Sequence, residues 1–397
     1  LPNAHSLPLA SLLVLLGAFL VPPPVAHAQD APSKTDAEPK RPDVTLTLGG
    51  TLQPRFSYGR TALGQADRER FGFGIRRARL RATAVLAERA GAYFQLGAAG
   101  ASVELLDAVL FFDLTDALRL RAGRFPPAQP RAFQLTSHKH IDATARAAIA
   151  RRWGNGTLAN DGRDFGLEAL VETDRFDVQA GLYNGNGNWD RALGNYRDDI
   201  VGDPTGGADT RGMAAGAYGA WRPAALPGVE IGGYGGYNGA RNAATRPPDA
   251  LRSSPLPGAV RSYASYSAHL YWGARPGSQA VRLKADLIGT RYDTETFSLD
   301  GPGRSSTIEQ HALGASLLGA VGLFDRSAEV LARYERYDLA TGRDGRARDY
   351  LTAGASLSLS ALRGRPYERR RLTLAYATRF SGDADPHLLV VQAQIVF

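Results

Sequence analysis

From Val44 to the last residue, larger apolar side chains recur at every second position, as in LKADLIG (283–289), LTAGASLSLS (351–360) and RLTLAYATRF (371–380). A period of two places unlike environments on the two faces of a β-strand. Amphipathic helical stretches are nearly absent. Alternating runs bounded by turn residues predict sixteen strands, near 44–58, 71–87, 91–100, 103–113, 117–124, 164–172, 175–184, 211–222, 228–239, 261–274, 279–293, 307–321, 326–338, 348–362, 369–381 and 387–397. The connections between them tend to alternate: long at 125–163, 185–210, 240–260 and 294–306, short at 88–90, 114–116, 173–174, 275–278 and 322–325. Loops sorted by side predict an all-β transmembrane antiparallel barrel, with short turns at one rim and long loops at the other. About sixteen strands leave an aqueous channel instead of a filled interior.

The faces support that reading. Many strands set larger apolar residues on one side and Gly, Ser, Thr or charges on the other, the inverse of a soluble barrel with its apolar core. Trp221 and Trp272 fall just before short turns, with Tyr218, Tyr263, Tyr266 and Tyr271 nearby, which predicts an aromatic girdle at the membrane interface. The sequence ends LLVVQAQIVF, with Leu389, Val391, Ala393, Ile395 and Phe397 on one face. A terminal Phe on such a strand resembles an outer-membrane barrel assembly signal, and a closed barrel pairs its last strand with its first.

Charge then suggests what the channel prefers. The formal net charge is +8, and Lys occurs only at 34, 40, 139 and 284, so 43 of the 47 basic residues are Arg. Guanidinium suits planar oxyanions, although a GC-rich genome also inflates Arg, so position has to decide. On the second strand Arg77, Arg79 and Arg81 oppose Ala78, Leu80 and Ala82. Facing lipid would cost roughly 2–4 kcal/mol per Arg near the midplane, which turns this row into the lumen. Arg119 and Arg121, Arg282 and Lys284, and Arg371 and Arg379 repeat the pattern. The same register turns Glu168, Glu172, Asp107, Asp177 and Asp286 inward, so the alternatives are a net anion-attracting path or a neutralised lumen. Phe73 and Ile75 share the parity of Arg77, which requires a bulge or a non-aqueous setting for that strand end.

The long connection at 125–163 carries Arg131, Lys139, Arg146, Arg151, Arg152 and Arg163 against only Asp142 and Asp161. Loops of this length are usually functional. We expect it to fold into the barrel as a constriction, the alternative being an ordinary exposed loop. Asp142 is the expected N-cap of a short helix over 143–152. His138 and His140 alone are too few ligands for a metal. No catalytic residue, metal or cofactor is expected: there is no Cys, no Walker A motif and no G-x-S-x-G.

At the N-terminus, the apolar run Leu7–Val21 and the Ala26-His27-Ala28 site predict a secretory signal peptide over 1–28. Residues 29–43 read as a flexible polar leader and 44–397 as the barrel.

Over about 76–187 the ordered segments RRARLRATA, VELLDAVLFFD, LRLRAGRFPPAQPRAFQLTSHKHIDATARAAI, GRDFGLEAL and GLYNGNG resemble the phosphate-selective porin family (porin O and P type) of Gram-negative outer membranes. The resemblance implies a sixteen-stranded, usually trimeric channel whose third external loop folds inward and whose Arg and Lys bind phosphate-like anions. Carried over residue by residue, it points to Arg76, Arg77, Arg79 and Arg81 in RRARLR and to Lys139 in the loop. Family members often carry Lys after G-x-F, where this chain has Pro126. The expected function is passive, anion-preferring diffusion, with inorganic phosphate or similar small anions and outer-membrane lipid as partners, homotrimeric assembly and no nucleic acid. A general, weakly selective porin is the alternative; a barrel enzyme or a structural barrel fits less well.

Overall fold

A computed structural model describes residues 44–63, 66–86, 89–99, 102–157, 162–185, 213–239, 261–297, 305–338, 341, 347–380 and 386–397. The expected signal peptide and leader lie outside the described residues, as do nearly all of 185–210 and all of 240–260. Sixteen strands form: β1 (Val44–Leu63), β2 (Ala66–Leu86), β3 (Ala90–Ala99), β4 (Ser102–Asp113), β5 (Leu118–Phe125), β6 (Asp164–Glu172), β7 (Phe176–Tyr183), β8 (Ala214–Trp221), β9 (Val229–Asn238), β10 (Arg261–Trp272), β11 (Val281–Phe297), β12 (Ser305–Leu323), β13 (Ala328–Asp338), β14 (Ala347–Ser358), β15 (Arg370–Arg379) and β16 (His387–Val396). Each pairs antiparallel with its chain neighbour, and β1 pairs with β16 to close the barrel. At the seam Leu52 faces Ile395, and Gly50 and Phe397 exchange N–H···O bonds of 2.9 and 3.2 Å. Closure removes the sheet edge, so no backbone row is left unpaired against lipid.

The apolar face points outward. Leu48, Leu80, Leu283, Leu317, Leu372 and Val391 are exposed, whereas Gln53, Gln95, Glu168, Arg282, Arg333 and Gln392 are buried inside. Sixteen strands with this inversion are what a membrane barrel requires.

Two expectations, the first hairpin and the aromatic girdle, are corrected in detail, and of the two alternatives left for β2 the bulge is the one that forms. The first hairpin is longer than its alternation suggests: β1 and β2 run 20 and 21 residues, leaving only 64–65 between them in place of a loop over 59–70. A ladder that projects beyond the membrane is wet on both faces, so nothing enforces alternation there. On β2, Arg77 pairs with Gln53 and Ile75 with Pro54, so Arg76 is the extra residue of a bulge. That bulge reverses the parity, leaving Phe71, Phe73 and Ile75 outside while Arg77, Arg79 and Arg81 stay inside. Pro54, which has no N–H to pair, sits at the same irregularity. Finally, only part of the girdle forms: Trp221, Trp272 and Tyr266 are exposed, but Tyr218, Tyr263 and Tyr271 are buried in the lumen. Each lies an odd number of positions from the Trp on its strand, hence on the opposite face.

Candidate functional site: a charged lumen wall and the segment lying on it

The segment between β5 and β6 starts from a built corner. Gly123 has φ 124°, and a Cβ there would lie 2.1 Å from the Ala108 carbonyl oxygen, so the chain turns where only glycine fits. Phe125 then buries its ring edge-on to Tyr183, centroids 6.3 Å apart. Ala128 N–H donates to Glu168 Oε2 and to Tyr183 Oη, both at 3.0 Å, tying the root of the segment to β6 and β7.

From there the segment contacts inward-facing side chains of distant strands. Arg131 donates to Glu230 on β9 at 2.8 Å. His138 meets Thr51 on β1 at 3.0 Å and Arg79 on β2 at 2.9 Å. The Ile141 carbonyl accepts from Arg371 on β15 at 2.9 Å. Asp142 takes Arg282 Nη1 at 2.9 Å and Lys284 Nζ at 2.8 Å, both on β11. The expected capped helix is displaced: α1 spans Ala148–Thr157, and its first turn is capped from the wall, where Ile149 N–H donates to Glu335 of β13 at 3.1 Å. Asp142 is therefore an anchor to the wall and does not cap a helix. Apolar packing completes the contact, with Phe133, Ile149 and Trp153 against Tyr263, Ile288 and Tyr337, and Ala143 against Leu318, Leu331 and Ala375.

Electrostatics divide the predicted site residues into two groups. Arg119 pairs with Asp113 at the short-turn rim and is 45% exposed. Arg121 is held by Glu168 at 2.6 Å, Arg131 by Glu230, Lys284 by Asp142, and Arg282 by Asp142 and by Glu329 at 2.5 Å. These are neutralised. Arg163, which the sequence placed in the loop, closes on Asp107 at 2.6 Å. On β7–β9, Arg222 joins Asp177 and Glu230.

The second group has no carboxylate within ion-pairing distance among the described residues. Arg77 Nη1 donates to Gln53 Oε1 at 3.0 Å and Arg81 to Gln95 Oε1 at 3.3 Å. Arg79 donates to the His138 ring, and Arg146 to the carbonyls of Phe133 and Thr136 at 2.7 and 2.6 Å. Neutral acceptors satisfy hydrogen bonds without cancelling charge. Arg151, exposed on α1, lies close enough to Arg55 and Arg76 for mutual repulsion. Lys139 loses basicity through burial and then the nearby Arg81. Arg152 contacts Tyr350 at 3.5 Å and stands apart from this group. Arg55 was not picked out from sequence; it shares the face of Gln53, which pairs with Arg77.

Loop ionisation follows the same map. Burial, then Arg79, Arg77 and Arg146, holds the His138 ring far below its usual range, so it is neutral and can accept from Arg79 while donating to Thr51. Burial, then Arg275, also lowers His140, with Glu368 3.7 Å away opposing. Burial works against the Asp142 carboxylate, but Lys284 and Arg282 outweigh it and hold its pKa well below the ordinary value.

Residues 50–230 match the family model described as phosphate-selective porin O and P. Over this stretch the chain is similar to that family. No curated protein matches the chain. Among solved structures, the chain resembles an anion-selective porin from Comamonas acidovorans (14% identity, 89% of this chain and 100% of that chain, TM-score 0.59). It also resembles OmpTdeltaL8, a loop-deletion mutant of the outer membrane protein OmpT of Vibrio cholerae (12%, 89% and 99%, 0.58). A third is the outer membrane channel DcaP of Acinetobacter baumannii (10%, 89% and 97%, 0.57). At these identities the likeness is one of fold. The fold is that of an outer-membrane channel.

Proposed function

We propose that this porin is a passive diffusion channel that prefers anions, and that the oxyanions of phosphate or polyphosphate type are its best ligands. Export through the N-terminal signal and assembly as a homotrimer belong to the same reading. The supporting observation is the sorting of charge: most of the described lumen wall pairs its Arg and Lys with carboxylates, while Arg77, Arg79, Arg81 and Arg146 hydrogen-bond to neutral acceptors and, like Lys139, make no ion pair among the described residues. The segment after β5 constricts the lumen, and ions pass along the Arg row of β2 that this segment meets at His138. There its apolar side is turned away, toward β10–β15.

The mechanism follows from charge crowding. Cations packed together raise the local anion concentration and repel each other until an anion enters. Guanidinium forks then bond several oxygens of one phosphate, which chloride cannot match. Weak acceptors such as Gln53, Gln95 and His138 hold the Arg forks in place between visits, so binding stays loose enough for exit. No step needs an energy source.

The test is planar-bilayer recording of Arg77→Gln/Arg79→Gln beside Arg119→Gln. Loss of two charge-assisted bonds weakens phosphate block of chloride current roughly tenfold or more and moves the reversal potential toward zero. Arg119→Gln, which only opens a rim pair, leaves both nearly unchanged. Equal behaviour of the two variants would remove the β2 row from the account.

A further inference from the structure

The rim formed by the short turns is not electrically uniform. On the β4–β7 side Asp113, Asp116, Glu172 and Asp174 stand among Arg89, Arg119 and Arg175, so the two signs nearly balance there. On the opposite side the turn at 359–369 reads LSALRGRPYER, and Arg363, Arg365, Arg369 and Arg370 are all exposed. No carboxylate among the described residues pairs with any of these four. Glu368, the acid within that turn, faces His140 instead.

The neighbouring turn at 324–327 is joined to this one: Ser358 N–H donates to the Ser327 carbonyl at 2.7 Å, and Ser327 in turn closes on Phe324. It adds Arg326, whose Nη1 reaches the Ser278 carbonyl. Its backbone is strained, because Phe324, Asp325 and Arg326 have φ of 49°, 50° and 65°, a run that non-glycine residues rarely adopt. The Phe324 ring is 77% exposed in this turn, and Leu362 of the joined turn is 57% exposed.

These groups lie at the edge of the lipid-facing belt. Arg370 pairs with Ile395 and so shares the outward face, one step beyond Leu372, while Leu323 ends the same belt on β12. Apolar side chains at the hydrocarbon boundary with a cluster of Arg just beyond them have the complementarity of an anionic headgroup over acyl chains.

We propose that the turns 324–327 and 359–369 form a binding patch for anionic phospholipid in the leaflet at the short-turn rim. Phe324 and Leu362 insert at the interface, and Arg326, Arg363, Arg365, Arg369 and Arg370 hold the headgroup phosphates. This rests on the chain spanning a membrane, and not on which ions it passes.

The test is native mass spectrometry of the refolded full chain from micelles containing phosphatidylglycerol or phosphatidylcholine. Wild type retains phosphatidylglycerol over phosphatidylcholine by at least about fivefold, and raising salt removes that preference. Arg363→Gln/Arg365→Gln/Arg369→Gln/Arg370→Gln loses it, and Arg175→Gln, in the β6–β7 turn across the same rim, keeps it. Equal retention of the two lipids by wild type overturns the proposal, as does a quadruple variant that binds like wild type. Unchanged lipid retention with loss of the oligomer would assign the face to a second copy of the chain and also overturn it. Bilayer recording of the same preparation separates the readings: selective lipid retention without conductance faults the channel and leaves the patch standing.

Discussion

His138 shows how much one residue carries in this lumen. Its ring sits between Thr51 and Arg79, and its neutral form is the only one that can accept a bond from a guanidinium. Because the docked ring has a pKa below that of a released imidazole, near 6.5, docking is fully favourable above that value and is progressively lost as pH falls beneath it. Asp142 has the opposite dependence. Its depressed pKa adds stability above the ordinary carboxylate value near 3.8, lost only as pH falls through the lower folded one. Between pH 7 and 5 the change therefore belongs to His138, with His140 adding in the same direction. At pH 5 it amounts to about 2 kcal/mol. Amide exchange of 136–142, corrected for intrinsic rate, should show protection falling from pH 7 to 5 more steeply in wild type than in His138→Gln, which keeps only the His140 contribution. Protection independent of pH would mean that the ring does not couple docking to protons.

At the scale of elements, the segment between β5 and β6 is held by buried pairs more than by its own secondary structure. Asp142→Asn keeps the shape and removes the charge, leaving Lys284 buried without its partner and Arg282 with only Glu329. Removing one member of a buried pair costs about 3–5 kcal/mol, so the variant segment should detach. Limited trypsinolysis reads this directly: cleavage at Arg146 or Arg151 in the variant and resistance in wild type. Equal resistance would show that the apolar packing of Ile149 and Trp153 suffices.

The strands were legible in the sequence because lipid outside and water inside impose two environments at every second residue. Even the bulge left a trace, the shared parity of Phe73, Ile75 and Arg77. Asp142 misled because capping is a local rule, whereas the group that caps α1, Glu335, comes from β13. The girdle was overstated for a similar reason: nearness to Trp272 does not put Tyr271 on its face. Which Arg are neutralised was not legible, since Arg121 with Glu168 and Arg282 with Glu329 meet only through strand register.

Over the whole molecule, charge is sorted rather than spread. Among the described residues, most cations of the lumen wall from β4 to β13 meet carboxylates, the Arg77, Arg79 and Arg81 row of β2 does not, and exposed Arg gather at the 359–369 side of the short-turn rim. In the proposed reading, a field of this shape selects the sign of the ion that enters. The most direct measurement is the zero-current potential of the refolded chain in a planar bilayer under a KCl gradient, followed by phosphate addition. The account predicts a potential of anion-selective sign and a saturable block of chloride current by phosphate. A potential near zero or of cation-selective sign, with current indifferent to phosphate, would contradict it.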